Sequence, residues 1–149
     1  VERRLKAAAS VEDYRRIAKR RLPRGVFDYI DGGAEDERTL AHNVSAFGGY
    51  EFRPRVLRDV SRLDTSTTIL GRPAALPLIL APTGFTRIAH SQGELAVARA
   101  AARAGIPWSL STIGTRSIVE VAAVSVGDKW FQVYTWRDRR LVEELIDPS

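Results

Sequence analysis

The sequence has 149 residues, 44% hydrophobic and 28% charged, the balance of one soluble globular domain with room for a core. It has no cysteine, which excludes disulfides, thiolate catalysis and cysteine metal sites. No apolar run approaches the ~18 residues a transmembrane helix requires. The amino terminus carries no signal-peptide core, and a cytoplasmic location is expected.

The net charge of +5 is uneven: residues 1–24 hold nine Lys or Arg against three acids, and the remainder sums to −1. The plain reading is a solvated basic helix face. Its alternative is a patch for an anionic membrane surface or an acidic partner. Nucleic acid is not expected, because neither a binding motif nor interleaved aromatics accompany the charge.

In chain order, Ser10 and Asp13 predict a capped helix with Val11, Tyr14, Ile17 and Ala18 on one face. Pro23 closes it or opens the next, in which Val26, Phe27 and Ile30 share a face and Gly32-Gly33 is the stop. A third helix is expected from Glu35-Asp36, with Leu40, Val44 and Phe47 as its stripe and Gly48-Gly49 as its end. From Tyr50 to Pro73, extended segments around turns suggest a small ribbon, with Gly71-Arg72-Pro73 closing the region. The expected division is a helical and ribbon segment over 1–75 and a second part over 76–149.

Leu76 to Gly84 organises the second part. Five apolar residues end in a small-residue turn, and Pro77 and Pro82 leave too little room for a helix, so Leu78–Ala81 is predicted as a buried strand. A helix over 93–104, a strand over 106–111, a helix over 117–124, a strand over 129–134 and a helix over 139–146 follow. Such alternation with short links means parallel βαβ units. An open doubly wound sheet and a (β/α)8 barrel are both available, and the lack of G-x-G-x-x-G after the first strand counts against a dinucleotide-type open sheet.

Ligands bind at the carboxyl ends of parallel strands. The first end offers Ala81, Pro82 and Thr83, the second Ser111 and Thr112, the third Gln132 and Tyr134. Neutral hydrogen-bonding groups at three successive ends suit a polar heteroaromatic ring, and the Gln132 amide can both donate and accept. The competing reading is that Ser111 or Thr112 only satisfies backbone at a turn.

Several ordered motifs carry a family resemblance. Val26-Phe27-Asp28-Tyr29-Ile30-Asp31-Gly32-Gly33, Phe52-Arg53-Pro54-Arg55, Leu80-Ala81-Pro82-Thr83-Gly84, Gly93-Glu94, Leu110-Ser111-Thr112 and Trp130-Phe131-Gln132-Val133-Tyr134 resemble the FMN-dependent α-hydroxy-acid dehydrogenases and oxidases. The match runs from about Val11 to Ile146. It implies an α/β fold of the TIM (β/α)8 type, here an N-terminal segment plus about three βα units. It implies FMN against Ala81, Pro82 and Thr83, with Ser111, Gln132 and Tyr134 on its polar side. Tyr29 and Tyr134 match the tyrosines that hold the substrate's carboxylate and hydroxyl.

The implied activity is oxidation of a small L-2-hydroxy acid, L-lactate first, to the 2-oxo acid by a homo-oligomer. Two alternatives stand beside it: a non-catalytic flavin-binding or scaffold fragment that needs a second chain, and a basic membrane-surface module. The resemblance puts the catalytic base in a later half of the barrel that these residues do not include, so no catalytic residue and no metal ligand is expected here. His42 is read as structural and His90 as a loop residue. Ile113 stands where some members have a bulky aromatic.

Overall fold

The computed structural model describes residues 5–146. Arg3 and Arg4 of the basic segment and the Asp147-Pro148-Ser149 tail lie outside them. The chain divides into two units between Ser61 and Arg62. The expected boundary at 75/76 groups the ribbon with the helices; the structure places it in the second unit. No helix among the described residues is long and apolar enough to cross a membrane.

The first unit holds α1 (Val11–Lys19), α2 (Arg24–Asp31), α3 (Arg38–Ala46) and a 3-10 turn at Phe47–Gly49. The Ser10 hydroxyl accepts from the Asp13 amide at 3.2 Å. Asp13 reaches back to the Ala9 amide at 3.1 Å, one residue before the usual capping-box target. The Arg15 guanidinium forks onto Asp31, with Nη2 donating to Oδ2 at 2.7 Å, and ties α1 to the end of α2. Helix α3 starts later than Glu35-Asp36 suggests. Glu37 sits in the left-handed region (φ +55°), and its carboxylate accepts from the Gly33 amide at 3.0 Å, so the chain turns before it coils. Residues 51–66 form no strand, and Phe52 and Leu57 are fully exposed.

The second unit opens on an antiparallel ribbon of β1 (Thr67–Ile69) and β2 (Arg72–Ala74). Leu70 and Gly71 both have positive φ, +47° and +77°, as a two-residue primed turn requires. Arg72 and Pro73 thus belong to a strand and do not close the region as expected. Pro73 is tolerated because a two-stranded ribbon consists of edges. Arg72 Nη2 meets Asp128 Oδ1 at 3.0 Å, and the Ala75 amide donates to Gly105 O at 2.8 Å, which fastens the ribbon to the sheet's amino-terminal side.

β3 (Trp108–Ser111) and β4 (Lys129–Gln132) are parallel neighbours. The expected strand at Leu78–Ala81 reduces to one parallel bridge, Leu80 to Trp108. The cause is local: Pro77 and Pro82 lack an N–H, and the Leu78 amide turns back to Leu76 O at 2.8 Å. Lateral order therefore follows chain order.

α4 (Glu94–Ala104) and α5 (Ile118–Val124) pack together on one face of these strands, and α6 (Arg140–Ile146) follows β4. Ala98, Ala101, Ile106, Trp108, Leu110 and Val121 form their shared core. Along β3, Trp108 and Leu110 point to the helices and alternate with Ser109 and Ser111, which are also buried. A strand covered on both faces is the parallel α/β arrangement. No closed barrel forms among the described residues; the fold is a partial α/β segment.

Candidate functional site

The three strand ends are stitched to one another sideways. The Phe85 amide, just past the Ala81–Gly84 turn, donates to Ile113 O at 3.2 Å. A Cβ on Gly84 would sit 2.5 Å from Ile113 Cδ1, so a larger residue there requires that side chain to move. On the other side, Gln132 Oε1 accepts from Ser111 Oγ and from the Thr112 amide, each at 3.3 Å. The Thr112 hydroxyl donates to Gln132 O and accepts from the Tyr134 amide at 3.1 Å. The last ladder pair, Ser111 with Gln132, is thereby extended past the end of the sheet.

This network defines which groups remain for a ligand. A backbone N–H can only donate, so the Gln132 oxygen must face Thr112, and the amide NH2 has no partner among the described residues. Gln132 therefore offers donors alone, where the sequence left both roles open. The Ser111 hydroxyl is spent twice, because it also accepts from the Ile113 amide at 3.3 Å. The turn-satisfying reading of Ser111 and Thr112 thus describes what their hydroxyls do, and the same bonds orient Gln132.

Ala81, Pro82 and Thr83 are exposed, and no charged side chain interrupts them. Tyr134 is 50% exposed, and its hydroxyl has no partner among the described residues. Small apolar surface, a free hydroxyl and a carboxamide NH2 suit a flat, neutral, carbonyl-bearing heteroaromatic ring. Such a donor set fits an isoalloxazine.

Tyr29 belongs to the first unit. It lies on α2 at 63% exposure. The structure brings together Ala81, Pro82, Thr83, Ser111, Gln132 and Tyr134, all in the second unit; Tyr29 is described apart from them.

Two residues have roles that the sequence does not show. Thr112 ranked only as a strand-end hydroxyl, yet it is the hub that joins β3 to β4. Glu94 entered only as part of the Gly93-Glu94 motif, with no role attached. It is 1% exposed, and its oxygens accept from the Thr115 amide and hydroxyl, both at 2.7 Å. Burial pushes its pKa up, but the hydrogen bonds it accepts, those from Thr115 foremost, together outweigh that, and the carboxyl ends below its ordinary value.

The histidines stay outside this constellation. His90 Nδ1 accepts from the Gln92 amide at 3.2 Å and shapes the turn before α4. His42 lies exposed on α3. On α1, Arg15 and Arg16 are paired with Glu12, Asp13 and Asp31, as a solvated and internally neutralised face would be.

A putative L-lactate dehydrogenase of Mycobacterium tuberculosis is 56% identical over 139 residues, 93% of this chain and 34% of that protein. Glycolate oxidase 5 of Oryza sativa subsp. japonica is 46% identical over 137 residues, 92% of this chain and 37% of that protein. A soluble mutant of the membrane-associated (S)-mandelate dehydrogenase of Pseudomonas putida superposes with a TM-score of 0.79 at 47% identity. That match covers 83% of this chain and 36% of that one. The chain spans about a third of the length of the curated relatives it matches. The profile of the family described as FMN-dependent dehydrogenase matches residues 18–148, and the chain belongs to that family.

Proposed function

We propose that this chain is the N-terminal part of a (β/α)8-barrel enzyme that oxidises an L-2-hydroxy acid, L-lactate first, to the 2-oxo acid. The observation that carries the reading is the Gln132 carboxamide, its oxygen held by Ser111 and Thr112 and its NH2 left to donate. FMN, when bound, supplies the two-electron acceptance that turns the alcohol into a ketone.

The chain's own residues bind and orient. Ala81, Pro82 and Thr83 line one side of the ring. Gln132 donates to a ring carbonyl, and Ser111 fixes the angle at which it does so. The Tyr134 hydroxyl donates to the substrate's carboxylate or hydroxyl, and Tyr29 is proposed for the same task. Phenols suit it because they are neutral donors that orient an anion without a full countercharge. The base that takes the hydroxyl proton comes from outside these residues.

The preference for L-lactate follows the relative with the highest identity quoted above. The glycolate and mandelate names of the others make the 2-hydroxy acid the common part. We also propose a homo-oligomer, cytoplasmic or peripherally membrane-associated. The test is anaerobic addition of L-lactate, glycolate or (S)-mandelate to the purified full-length protein loaded with FMN, followed by flavin absorbance. Bleaching fastest with L-lactate is expected. No bleaching with any 2-hydroxy acid would overturn the proposal.

A further inference from the structure

Glu94 is a buried carboxylate that the proposed chemistry does not use. It opens α4, on the opposite side of its loop from the strand ends in sequence, and both its oxygens are taken by one residue 21 positions on. Bidentate capture of the Thr115 amide and hydroxyl at 2.7 Å fixes that residue in two directions. Gly114 completes the seat. A Cβ there would lie 2.9 Å from both Leu110 Cδ1 and Ser111 O, so only glycine lets the loop lie this close to the sheet.

The loop so anchored runs from Thr112 to Thr115. Thr112 is the residue that holds the Gln132 oxygen and the Tyr134 amide. Its neighbour Ile113 receives the Phe85 amide from the first strand end. All three ends therefore depend on one short loop, and Glu94 is its deepest fastening. A buried ionised group is costly unless fully hydrogen-bonded. A plain turn could be closed by a serine or asparagine without that cost, so the carboxylate here has more to do than close one.

We infer that Glu94 is a positioning residue for the flavin site: by clamping Thr115 it sets the Thr112–Gln132–Tyr134 network at the angle that the ring needs. The inference rests on the proposed flavin reading. Because the role is geometric, an uncharged isostere should serve. Glutamine keeps one oxygen for the Thr115 amide and offers its NH2 to the Thr115 hydroxyl, which can accept. Alanine and aspartate cannot span the gap.

The test uses the full-length protein with FMN and two readouts, the FMN Kd and the visible circular dichroism of the bound flavin at saturation. Glu94→Ala and Glu94→Asp should raise Kd about tenfold and change the flavin band shape. Glu94→Gln should restore both. Thr115→Val removes one of the two bonds, folds more safely, and should shift both readouts in the same direction by less. A purely structural Glu94 would lower the melting temperature and leave the saturated flavin spectrum unchanged, and that result overturns the inference. Failure of Glu94→Gln to rescue also overturns it, because charge would then matter and not position. Gln132→Leu separates the two levels. If it alters Kd and spectrum while the Glu94 and Thr115 variants do not, only this inference fails. If it alters neither, the flavin reading fails first.

Discussion

Gln132 Oε1 accepts from Ser111 Oγ and the Thr112 amide at 3.3 Å each, and its Nε2 has no partner among the described residues. One carboxamide thus locks two parallel strands at their carboxyl ends and keeps its donors for something else. Gln132→Leu deletes both roles. Losing one neutral hydrogen bond to FMN, about 0.5–1.5 kcal/mol, should weaken FMN roughly two- to tenfold in a fluorescence titration. Leaving the buried Ser111 hydroxyl without its acceptor should also lower stability by about 1–3 kcal/mol in urea unfolding.

Thr83 lies in the exposed turn after the Leu80 bridge. If that turn lines the ring, Thr83→Trp should abolish FMN retention on gel filtration by filling the ring's place. Ala123→Ser, at an exposed position on α5, should leave retention unchanged. Equal flavin content in both variants would remove the turn from the site.

Tyr29 and Tyr134 are exposed and are proposed to contact substrate. Phenylalanine at either position keeps the ring and deletes one hydroxyl. A hydrogen bond to a charged carboxylate is worth about 1.5–3 kcal/mol, so kcat/KM should fall roughly ten- to a hundredfold with little change in melting temperature. A variant that melts early and turns over normally would return that tyrosine to a packing role.

The Arg15–Asp31 pair gives a pH dependence with a definite sign. The hydrogen bond from Arg15, more than its charge, holds the Asp31 carboxyl below its ordinary value of 3.8. A depressed carboxyl contributes stability that is complete above the ordinary value and is lost as pH falls through the folded one. The protection of α1 amides, measured against their intrinsic exchange rates, should therefore fall below about pH 4 in the wild type, and Asp31→Asn should already show the lower protection at neutral pH. Half of the Arg15 side chain is in solvent, so the effect is modest.

Much of this was legible in the sequence, for reasons that particular residues show. Gly105, in the left-handed region at φ +64°, stops α4 where a glycine after an alanine-rich run predicts it. Ser111, Gln132 and Tyr134 stand out in the sequence as polar residues at the ends of apolar strands, and the structure bonds the first two to each other. The prolines misled in both directions. Pro77 and Pro82 suggested strand limits while removing donors on either side of Leu80, whose own amide still reaches Pro107 O at 3.1 Å, and Pro73 hid a ribbon strand. The partners of Thr112 and Glu94 were illegible for another reason. They lie 20 to 22 residues away, and nothing in local spacing says which loop a buried carboxylate will hold.

The central claim is that the three strand ends form one flavin surface, and mapping FMN onto the protein tests it most directly. The full-length protein, labelled with nitrogen-15 and freed of flavin, is titrated with FMN while backbone and side-chain amide resonances are followed. The account predicts the largest shifts at the Gln132 side-chain NH2 and at the amides of Thr83, Thr112 and Tyr134. Saturable binding that leaves these four unmoved would contradict it.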